Sequence, residues 1–173
     1  YEAASKGVKI QLIIRGITCL RNDLPELHGN IEVHSIVGRF LEHSRIYYFE
    51  GNGNEEIYLS SADMMTRNLN RRVEELYPVE QADTKEKAIS ILDDMWKDNV
   101  KARVLVGDHY ERIDNHGEEP FNSQEFFVQR ANVESKQTKR QEKSKRHFSN
   151  VFETLSRHVP SLHLDSRKGE RHE

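Results

Sequence analysis

A histidine and an arginine stand two residues apart in the segment HSRIYYFE, which begins at His43. Side chains alternate along a β-strand, so a strand beginning at His43 would place its imidazole, the guanidinium of Arg45 and the phenol of Tyr47 on one face. A histidine can act as a general acid near neutral pH, and a guanidinium binds anions with its planar fork. The spacing predicts that these groups share one pocket, although a structural pair on a half-buried strand also fits it.

A second arginine, Arg15, ends a strand-like run. Residues 9–15 are rich in β-branched and apolar side chains and lie between Gly7 and Gly16, which indicates a buried strand behind a short helix. This is the pattern of the second half of a βαβ unit, and it predicts a parallel sheet. Ligands bind at the carboxyl ends of such strands, and a guanidinium can engage two oxygens of an anion at once, so Arg15 is a candidate ligand-binding residue, with a salt bridge as the alternative. Because the opening helix is so short, we expect the chain to be a fragment of a longer protein.

Strand-like and helix-like segments follow one another along the chain, and these segments must position His43, Arg45 and Arg15. Residues 45–49 and 56–60 are strand-like, and the segment EGNGNE between them favours a hairpin turn. The apolar residues of segment 36–42 recur at helical spacing, which predicts one or two amphipathic turns. Residues 84–99 have the pattern of an amphipathic helix packed on the sheet.

The composition is that of a polar chain with one core. Of its 173 residues, 35% are hydrophobic and 32% are charged, and its net charge is -3. Residues 136–173 contain ten Lys or Arg and five Asp or Glu, a balance of +5 that leaves -8 on the rest. The periodicity fades after residue 107, so this basic end is predicted to be a mobile tail.

The compartment is predicted from cysteine use and hydropathy. Cys19 is the single cysteine, which excludes an internal disulfide framework and suits a reducing compartment. No apolar run approaches the roughly 20 residues that span a bilayer, and we expect a soluble protein, located in the cytoplasm or peripheral to the membrane. The basic run lacks interleaved aromatic residues, so nucleic acid is not an expected partner.

Longer motifs connect these residues to a known family. HSRIYYFE resembles the HxKxxxxD pattern of the phospholipase D superfamily, with Arg45 in place of lysine and Glu50 in place of aspartate. The segments KIQLIIRGITCL, NIEVHSIVGRFLEHSRIYYF and YLSSADMMTRNLNRRVE, in this order, resemble the C-terminal catalytic domain of bacterial polyphosphate kinase, the first of two kinase families with that name. The resemblance covers residues 2–103 densely and residues 110–127 weakly.

The resemblance implies a phospholipase D-like α/β fold, with a mixed, largely parallel sheet flanked by helices and an irregular C-terminal extension. Residues 1–106 would then be the second half of the catalytic region, truncated at its N-terminal side. Residues 107–135 would be a terminal segment that packs on this domain or is partly ordered, and residues 136–173 would be the basic, mobile tail.

The resemblance also implies an enzyme that reversibly transfers the terminal phosphate of ATP to polyphosphate through a phosphohistidine. In that family the nucleotide phosphates contact an arginine and a histidine that match Arg15 and His43, and His43 is the implied catalytic residue. Arg39, Arg45 and Arg67 are candidates for contacting polyphosphate. The phosphohistidine and the arginines associated with Mg²⁺ belong to a preceding domain, so no metal ligand is expected in this chain, and the isolated chain is expected to be inactive.

Several nearby polar residues have simpler interpretations. Ser61 and Asp63 are predicted to cap the helix that follows them, with orientation of the arginines by Asp63 and Asn68 as the alternative. His28 lies in a predicted loop. His34 lies in a predicted strand without a carboxylate partner in sequence, and both histidines are interpreted as structural.

The implied partners are ATP or ADP, polyphosphate, the preceding domains of the same polypeptide and further copies in a homo-oligomer. Two other functions stay open. A phosphodiesterase of the phospholipase D type would use His43 as its nucleophile, but it requires a second HxK motif and the chain has one degenerate copy. A non-catalytic module could bind polyanions with the basic residues of segment 139–146.

Overall fold

The computed structural model describes residues 1–16 and 18–156. The strands are β1 Ile10–Ile13, β2 Ile31–Ile36, β3 Ile46–Phe49, β4 Glu56–Ser60, β5 Leu76–Pro78, β6 Ala102–Val106 and β7 His109–Arg112. The α-helices are α1 Glu2–Ser5, α2 Thr66–Arg71, α3 Ala82–Trp96 and α4 Ser123–Ser156. The chain divides into two compact units, Tyr1–Phe127 and the part from Val128 onward, and the boundary falls within α4.

Four strands form a mixed sheet in the order β1-β2-β6-β7. Strands β1 and β2 are parallel, with Ile10 opposite Ile31, whereas β2 pairs with β6 and β6 with β7 in antiparallel fashion. The core on this sheet includes Leu27, Val33 and Leu105. Because β1 and β2 are parallel, their carboxyl ends meet at one edge of the sheet, and the residues that follow both strands leave from that edge.

The other three strands form an antiparallel sheet in the order β3-β4-β5. The turn between β3 and β4 contains Asn52 with a φ of 56°, a left-handed conformation that asparagine tolerates. Strand β4 coincides with the predicted strand at residues 56–60, and β3 begins one residue later than predicted. The predicted hairpin is therefore confirmed.

Helix α3 packs on both sheets. Ala88 contacts Ile57 in the core of the second sheet, and Met95 contacts Ile36 and Ala102 in the core of the first. The two contacts lie seven residues apart, close to two helical turns, so both fall on one face. The predicted amphipathic helix is confirmed and begins two residues earlier than predicted.

The structure differs from the prediction at three places in this region. The molecule is a mixed α/β structure, but β1 and β2 are the one parallel pair among the described residues, so the sheet is not largely parallel. The antiparallel β6–β7 hairpin was missed, since it straddles residue 107, where the apolar periodicity ends. Residues 37–45 are not helical, and Val37 and Leu41 are exposed, because hydrogen bonds from distant residues hold this segment.

The C-terminal extension is also different from the prediction. We expected it to be irregular, but α4 is helical through Ser156. Glu, Gln, Lys and Arg are good helix formers, so a polar run can be helical without a core of its own. No helix within the described residues is both long and apolar enough to cross a membrane. Residues 157–173 of the predicted mobile tail lie outside the described part, so its mobility stays a prediction.

Candidate functional site

Antiparallel pairing brings Arg45 and Asp63 together. Ile46 of β3 lies opposite Leu59 of β4, and the backbone N of Ser60 donates to the backbone O of Arg45 at 3.0 Å. Arg45 immediately precedes β3, and Asp63 follows β4, so the two side chains reach each other. Nε and Nη2 of Arg45 donate to Oδ1 of Asp63 at 3.0 and 2.9 Å. The ion pair is partly buried, with exposed side-chain fractions of 15% for Arg45 and 29% for Asp63.

Arg45 also contacts His43. Its Nη1 donates to the ring Nδ1 of His43 at 2.8 Å and to the backbone O of His43 at 3.0 Å. A guanidinium has donors only, so Nδ1 must be the acceptor, and a neutral His43 then carries its proton on Nε2. The two side chains meet as the spacing suggested, but for a different reason: β3 begins at Ile46, so both residues precede the strand and alternation along it does not place them.

Arg15 lies beside the backbone that carries this histidine. It follows β1, and its Nη1 donates to the backbone O of Glu42, the residue before His43. The hydrogen bond from Arg45, and then the charges of Arg45 and Arg15, hold the pKa of Asp63 below its ordinary value, although partial burial opposes the shift. The structure therefore brings Arg15, His43, Arg45 and Asp63 into one group.

The first turn of α4 holds the segment of residues 37–45, which we call the histidine loop. Gln124 is 4% exposed; its Oε1 accepts from the N of Phe40 at 3.0 Å, and its Nε2 donates to the O of Phe40 at 2.8 Å and to Oε1 of Glu42 at 2.5 Å. Gly38 permits this approach, because a Cβ there would lie 2.3 Å from Oε1 of Gln124. The sequence carries no local signal for a contact between residues 84 positions apart.

The start of α4 is itself anchored by Asp98, which is 1% exposed. Its Oδ2 accepts from the N and Oγ of Ser123 at 2.9 and 2.8 Å, and its Oδ1 accepts from the backbone N atoms of residues 100–102 at 3.0, 2.7 and 3.1 Å. Burial opposes ionisation of Asp98, but the hydrogen bonds from Lys101 and Ser123 outweigh it and lower the pKa. Asp98 thus positions Gln124 and, through it, the histidine loop.

The predicted helix cap at Ser61 and Asp63 was wrong. The N-cap residue of α2 is Met65, and it makes no side-chain cap hydrogen bond. Ser61 Oγ donates to Oε2 of Glu74 at 2.6 Å, and Asn68 Nδ2 donates to Oε1 of the same carboxylate at 2.8 Å. Asp63 has instead the alternative role of orienting an arginine, whereas Asn68 binds a carboxylate.

The remaining predicted residues are not part of the group around His43, although Arg39 belongs to the histidine loop. The guanidinium of Arg39 lies over the ring of Phe40 at 5.2 Å, and Arg67 is exposed on α2. Among the described residues, no hydrogen bond ties Arg39 or Arg67 to His43. Glu50 lies beyond the far end of β3, where its carboxylate accepts a hydrogen bond from the turn, so it takes no part in the group around the histidine.

The two other histidines singled out in the sequence have structural surroundings. His34 is 5% exposed, and its ring stacks on Trp96 with 3.9 Å between ring centroids. Its Nε2 lies 2.9 Å from Oε1 of Glu32, so the expectation that it had no carboxylate partner was wrong. Residues two apart on a strand share a face, which is the signal that could have found this pair. His28 lies in a turn with a φ of 51°.

An apolar groove of about 450 Å³ opens over the second sheet. It is lined by residues of β3, β4, α2 and β5, among them Tyr47, Tyr58 and Leu69. Burial raises the pKa of the Tyr47 phenol; the charge of Arg45 opposes this shift and the charge of Asp63 adds to it. The phenol is therefore close enough to both residues to sense their charges. The groove therefore adjoins the charged group, and its wall is mostly apolar but includes Arg72, Glu74 and Glu75.

Comparison with known proteins places this geometry in a family. Residues 1–124 match the family model "Polyphosphate kinase C-terminal domain 2". The chain is 58% identical over 132 residues to a polyphosphate kinase of Lactiplantibacillus plantarum and 52% identical over 132 residues to one of Staphylococcus haemolyticus; each match covers 76% of this chain and 18% of the relative.

A solved structure agrees with these matches. The chain resembles the crystal structure of polyphosphate kinase from Porphyromonas gingivalis, with a TM-score of 0.72 and 36% identity, over 79% of this chain and 21% of that one. The chain spans about a fifth of the length of the relatives it matches. From the family model, the identities and the shared fold together, we conclude that this chain belongs to the polyphosphate kinase family and that its residues 1–124 correspond to C-terminal domain 2.

Proposed function

We propose that this chain provides one half of a phosphoryl-transfer site, in a kinase that reversibly moves the terminal phosphate of ATP to polyphosphate. The observation that carries the proposal is the hydrogen bond from Arg45 to Nδ1 of His43, which leaves the Nε2–H of His43 as a donor. Arg15 lies beside the same loop. Phosphoryl transfer depends mostly on positioning and on charge stabilisation, which a guanidinium and an imidazole N–H supply.

Each residue has a role in this proposal. Arg15 binds the phosphate oxygens with the N–H groups that do not engage Glu42. His43 donates from Nε2 to the oxygen that leaves phosphorus when the bond between the γ-phosphorus and the β-bridging oxygen breaks and ADP departs. The phosphoryl group forms a P–N bond with a histidine outside this chain, and this P–N bond breaks when the phosphorus forms a new P–O bond with the terminal oxygen of polyphosphate, which frees the histidine.

The proposal extends to the setting of the half-site. Mg²⁺ would accompany ATP and be held by preceding domains of the same polypeptide; among the described residues, no cluster of three or more His, Cys, Asp or Glu could hold a metal ion. We propose a phospholipase D-like arrangement of this domain, a homo-oligomeric whole enzyme and a cytoplasmic location, as the sequence resemblance implies. Without its preceding domains the chain would be inactive.

The phosphodiesterase alternative is less compatible with the geometry. A nucleophilic histidine attacks phosphorus with an unprotonated ring nitrogen, so attack by Nε2 requires the proton on Nδ1. In this chain Nδ1 accepts from Arg45, and Nε2 carries the proton. The arrangement supports a hydrogen-bond donor or general acid rather than a nucleophile.

One observation favours a second candidate function, a polyanion-binding module. Between residues 136 and 146, α4 carries six Lys or Arg and one Glu, and all of these side chains are exposed. Such a helix attracts any polyanion, and the attraction weakens with salt. Binding that survives loss of His43 and requires the basic residues of segment 139–146 would support this candidate.

A chimaera tests the kinase proposal. The 132 residues of the Lactiplantibacillus plantarum enzyme that match this chain would be replaced by the corresponding residues of this chain, and ATP-dependent polyphosphate synthesis and the reverse reaction would be measured. We expect the chimaera to be active, and Arg15→Ala and His43→Ala each to lower kcat/KM by about 100-fold or more.

Matched controls separate site effects from general charge and histidine effects. Arg112→Ala removes an exposed arginine from the edge strand β7, and His109→Ala removes an exposed histidine from the same strand. Both should retain the activity of the chimaera. If Arg15→Ala and His43→Ala also retain it, the site assignment is refuted.

A further inference from the structure

Arg45 was predicted to contact polyphosphate, but its hydrogen bonds point to another role. An arginine has five N–H groups. Arg45 makes four hydrogen bonds inside the chain, two to Asp63 and two to His43, and its side chain is 15% exposed. Little of the guanidinium therefore remains available to a ligand.

We propose that Asp63 is a positioning residue that acts through Arg45: it holds the guanidinium so that Nδ1 of His43 is an acceptor and Nε2–H of His43 is the donor offered to the substrate. In this relay Arg45 orients His43 and does not bind polyphosphate. The inference deepens the proposed function and rests on it, because it assigns a purpose to the orientation of His43.

Asp63 is itself held by its backbone. The N of Met65 donates to the backbone O of Asp63 at 2.7 Å, and the N of Ala62 donates to Oγ of Ser60 at 3.0 Å. Ala62 is 6% exposed. The turn after β4 is thus fixed on both sides of Asp63, so its carboxylate is a stationary acceptor for the guanidinium.

The proposed relay uses two edges of the Arg45 guanidinium: Nε and Nη2 donate to Asp63, and Nη1 donates to His43. Arginine side chains lose rotamer entropy when they are held in one geometry, and the contacts to Asp63 restrict Arg45 before it meets the imidazole. Because Nε and Nη2 both donate to Oδ1, this edge of the guanidinium faces Asp63, and Nη1, on the opposite side of Cζ, points toward His43. Without Asp63, Arg45 would keep only its contacts to His43, an exposed residue.

The tautomer of the His43 ring can be measured by NMR, so the proposed relay can be tested without an activity assay. The chain labelled with ¹⁵N would be studied by long-range ¹H–¹⁵N correlation at a pH of about 8, where an ordinary histidine is neutral. The signals of His43 are assigned by their loss in His43→Ala. The proton population on Nδ1 and on Nε2 is then compared among wild type, Asp63→Ala and Arg45→Ala, the last of which defines the unrestrained ring.

We expect the proton of His43 to lie on Nε2 in wild type, and Asp63→Ala to move the tautomer ratio at least half of the way to the Arg45→Ala value. Asp63→Glu should restore the wild-type ratio, and Asp93→Ala, which removes an exposed carboxylate from α3, should leave it unchanged. A wild-type ratio in Asp63→Ala, or a wild-type ratio equal to that of Arg45→Ala, overturns the proposal. Asp63→Leu, which keeps the branching at Cγ without hydrogen-bond acceptors, replaces Asp63→Ala if the latter does not fold.

The activity arm separates this inference from the proposed function. In the chimaera, Asp63→Ala should lower kcat by about 10-fold to 100-fold, the usual effect of a displaced catalytic group, and Asp63→Glu should recover most of it. If the tautomer responds but His43→Ala is fully active, the proposed function fails and the relay stands. If His43→Ala is inactive but the tautomer does not respond to Asp63→Ala, the relay fails and the proposed function stands.

Discussion

Replacing Asp98 with asparagine should loosen the start of α4 and, with it, the histidine loop. The change keeps the shape of the side chain but replaces one carboxylate oxygen by an NH₂ group. If the amide oxygen stays at the position of Oδ1, it still accepts from the backbone of residues 100–102, and the NH₂ group then faces the donors of Ser123. The N–H of Ser123, which is fully buried, loses its acceptor.

The expected loss in the free energy of unfolding follows from these hydrogen bonds. A buried N–H group left without an acceptor costs about 1–3 kcal/mol. The three remaining hydrogen bonds lose their charged acceptor, and a hydrogen bond to a charged group contributes about 1 kcal/mol more than a neutral one. After partial compensation, this loss of charge destabilises the fold by about 1–2 kcal/mol more. We expect Asp98→Asn to lower the free energy of unfolding by about 3 kcal/mol, and Tm by about 6–12 °C for a chain of this length.

Urea unfolding followed by circular dichroism and by the fluorescence of Trp96, the single tryptophan, measures this change. Asp93→Asn is the matched control, because Asp93 is exposed on α3. Its free energy of unfolding should lie within about 0.5 kcal/mol of wild type. If Asp98→Asn is as stable as Asp93→Asn, Asp98 does not anchor α4.

Two further predictions concern the same supports. The pKa of Asp98 is lowered in the folded chain, so its ionisation stabilises the fold above the unfolded value of about 3.8, and this stabilisation is lost as pH falls toward the folded pKa. Between about pH 5 and pH 3, the free energy of unfolding of wild type should therefore fall more than that of Asp98→Asn. Urea titrations measure both, and parallel curves would contradict this expectation. In Gly38→Ala the new Cβ would clash with Gln124, so the histidine loop should shift and the free energy of unfolding should fall by about 1–3 kcal/mol. A wild-type free energy of unfolding, together with unchanged NMR signals of the Phe40 and Glu42 amides, would show that the loop does not need this close approach.

Local patterns in the sequence were sufficient for the parts of the fold whose interactions are local. The hairpin of β3 and β4 follows from two strand-like runs around a Gly- and Asn-rich turn, and α3 follows from its apolar face. The helical spacing at residues 36–42 was misleading, because these apolar residues are not packed as a helical face: Val37 and Leu41 are exposed, and Gln124 supplies the hydrogen bonds that shape the loop.

The site was predictable in its residue types and not in its connections. The motif resemblance indicated Arg15 and His43, and the spacing indicated that His43 and Arg45 would meet. The partner of Arg45 comes from another strand end 18 residues away, and the supports of the loop come from Asp98 and Gln124. Such contacts depend on the register of the sheets and the start of α4, for which no periodic signal exists in the sequence.

The central claim, that Arg15 and His43 bind the phosphates of ATP and polyphosphate, is tested most directly by titration calorimetry. Both ligands would be titrated into wild type, Arg15→Ala, His43→Ala, Arg112→Ala and His109→Ala at two salt concentrations. We predict that wild type and both controls bind polyphosphate, and that Arg15→Ala and His43→Ala each weaken binding by about tenfold or more, since a charge-assisted hydrogen bond contributes about 1.5–3 kcal/mol. Binding that is equal in all five proteins and disappears at high salt would contradict the claim and favour the basic residues of α4.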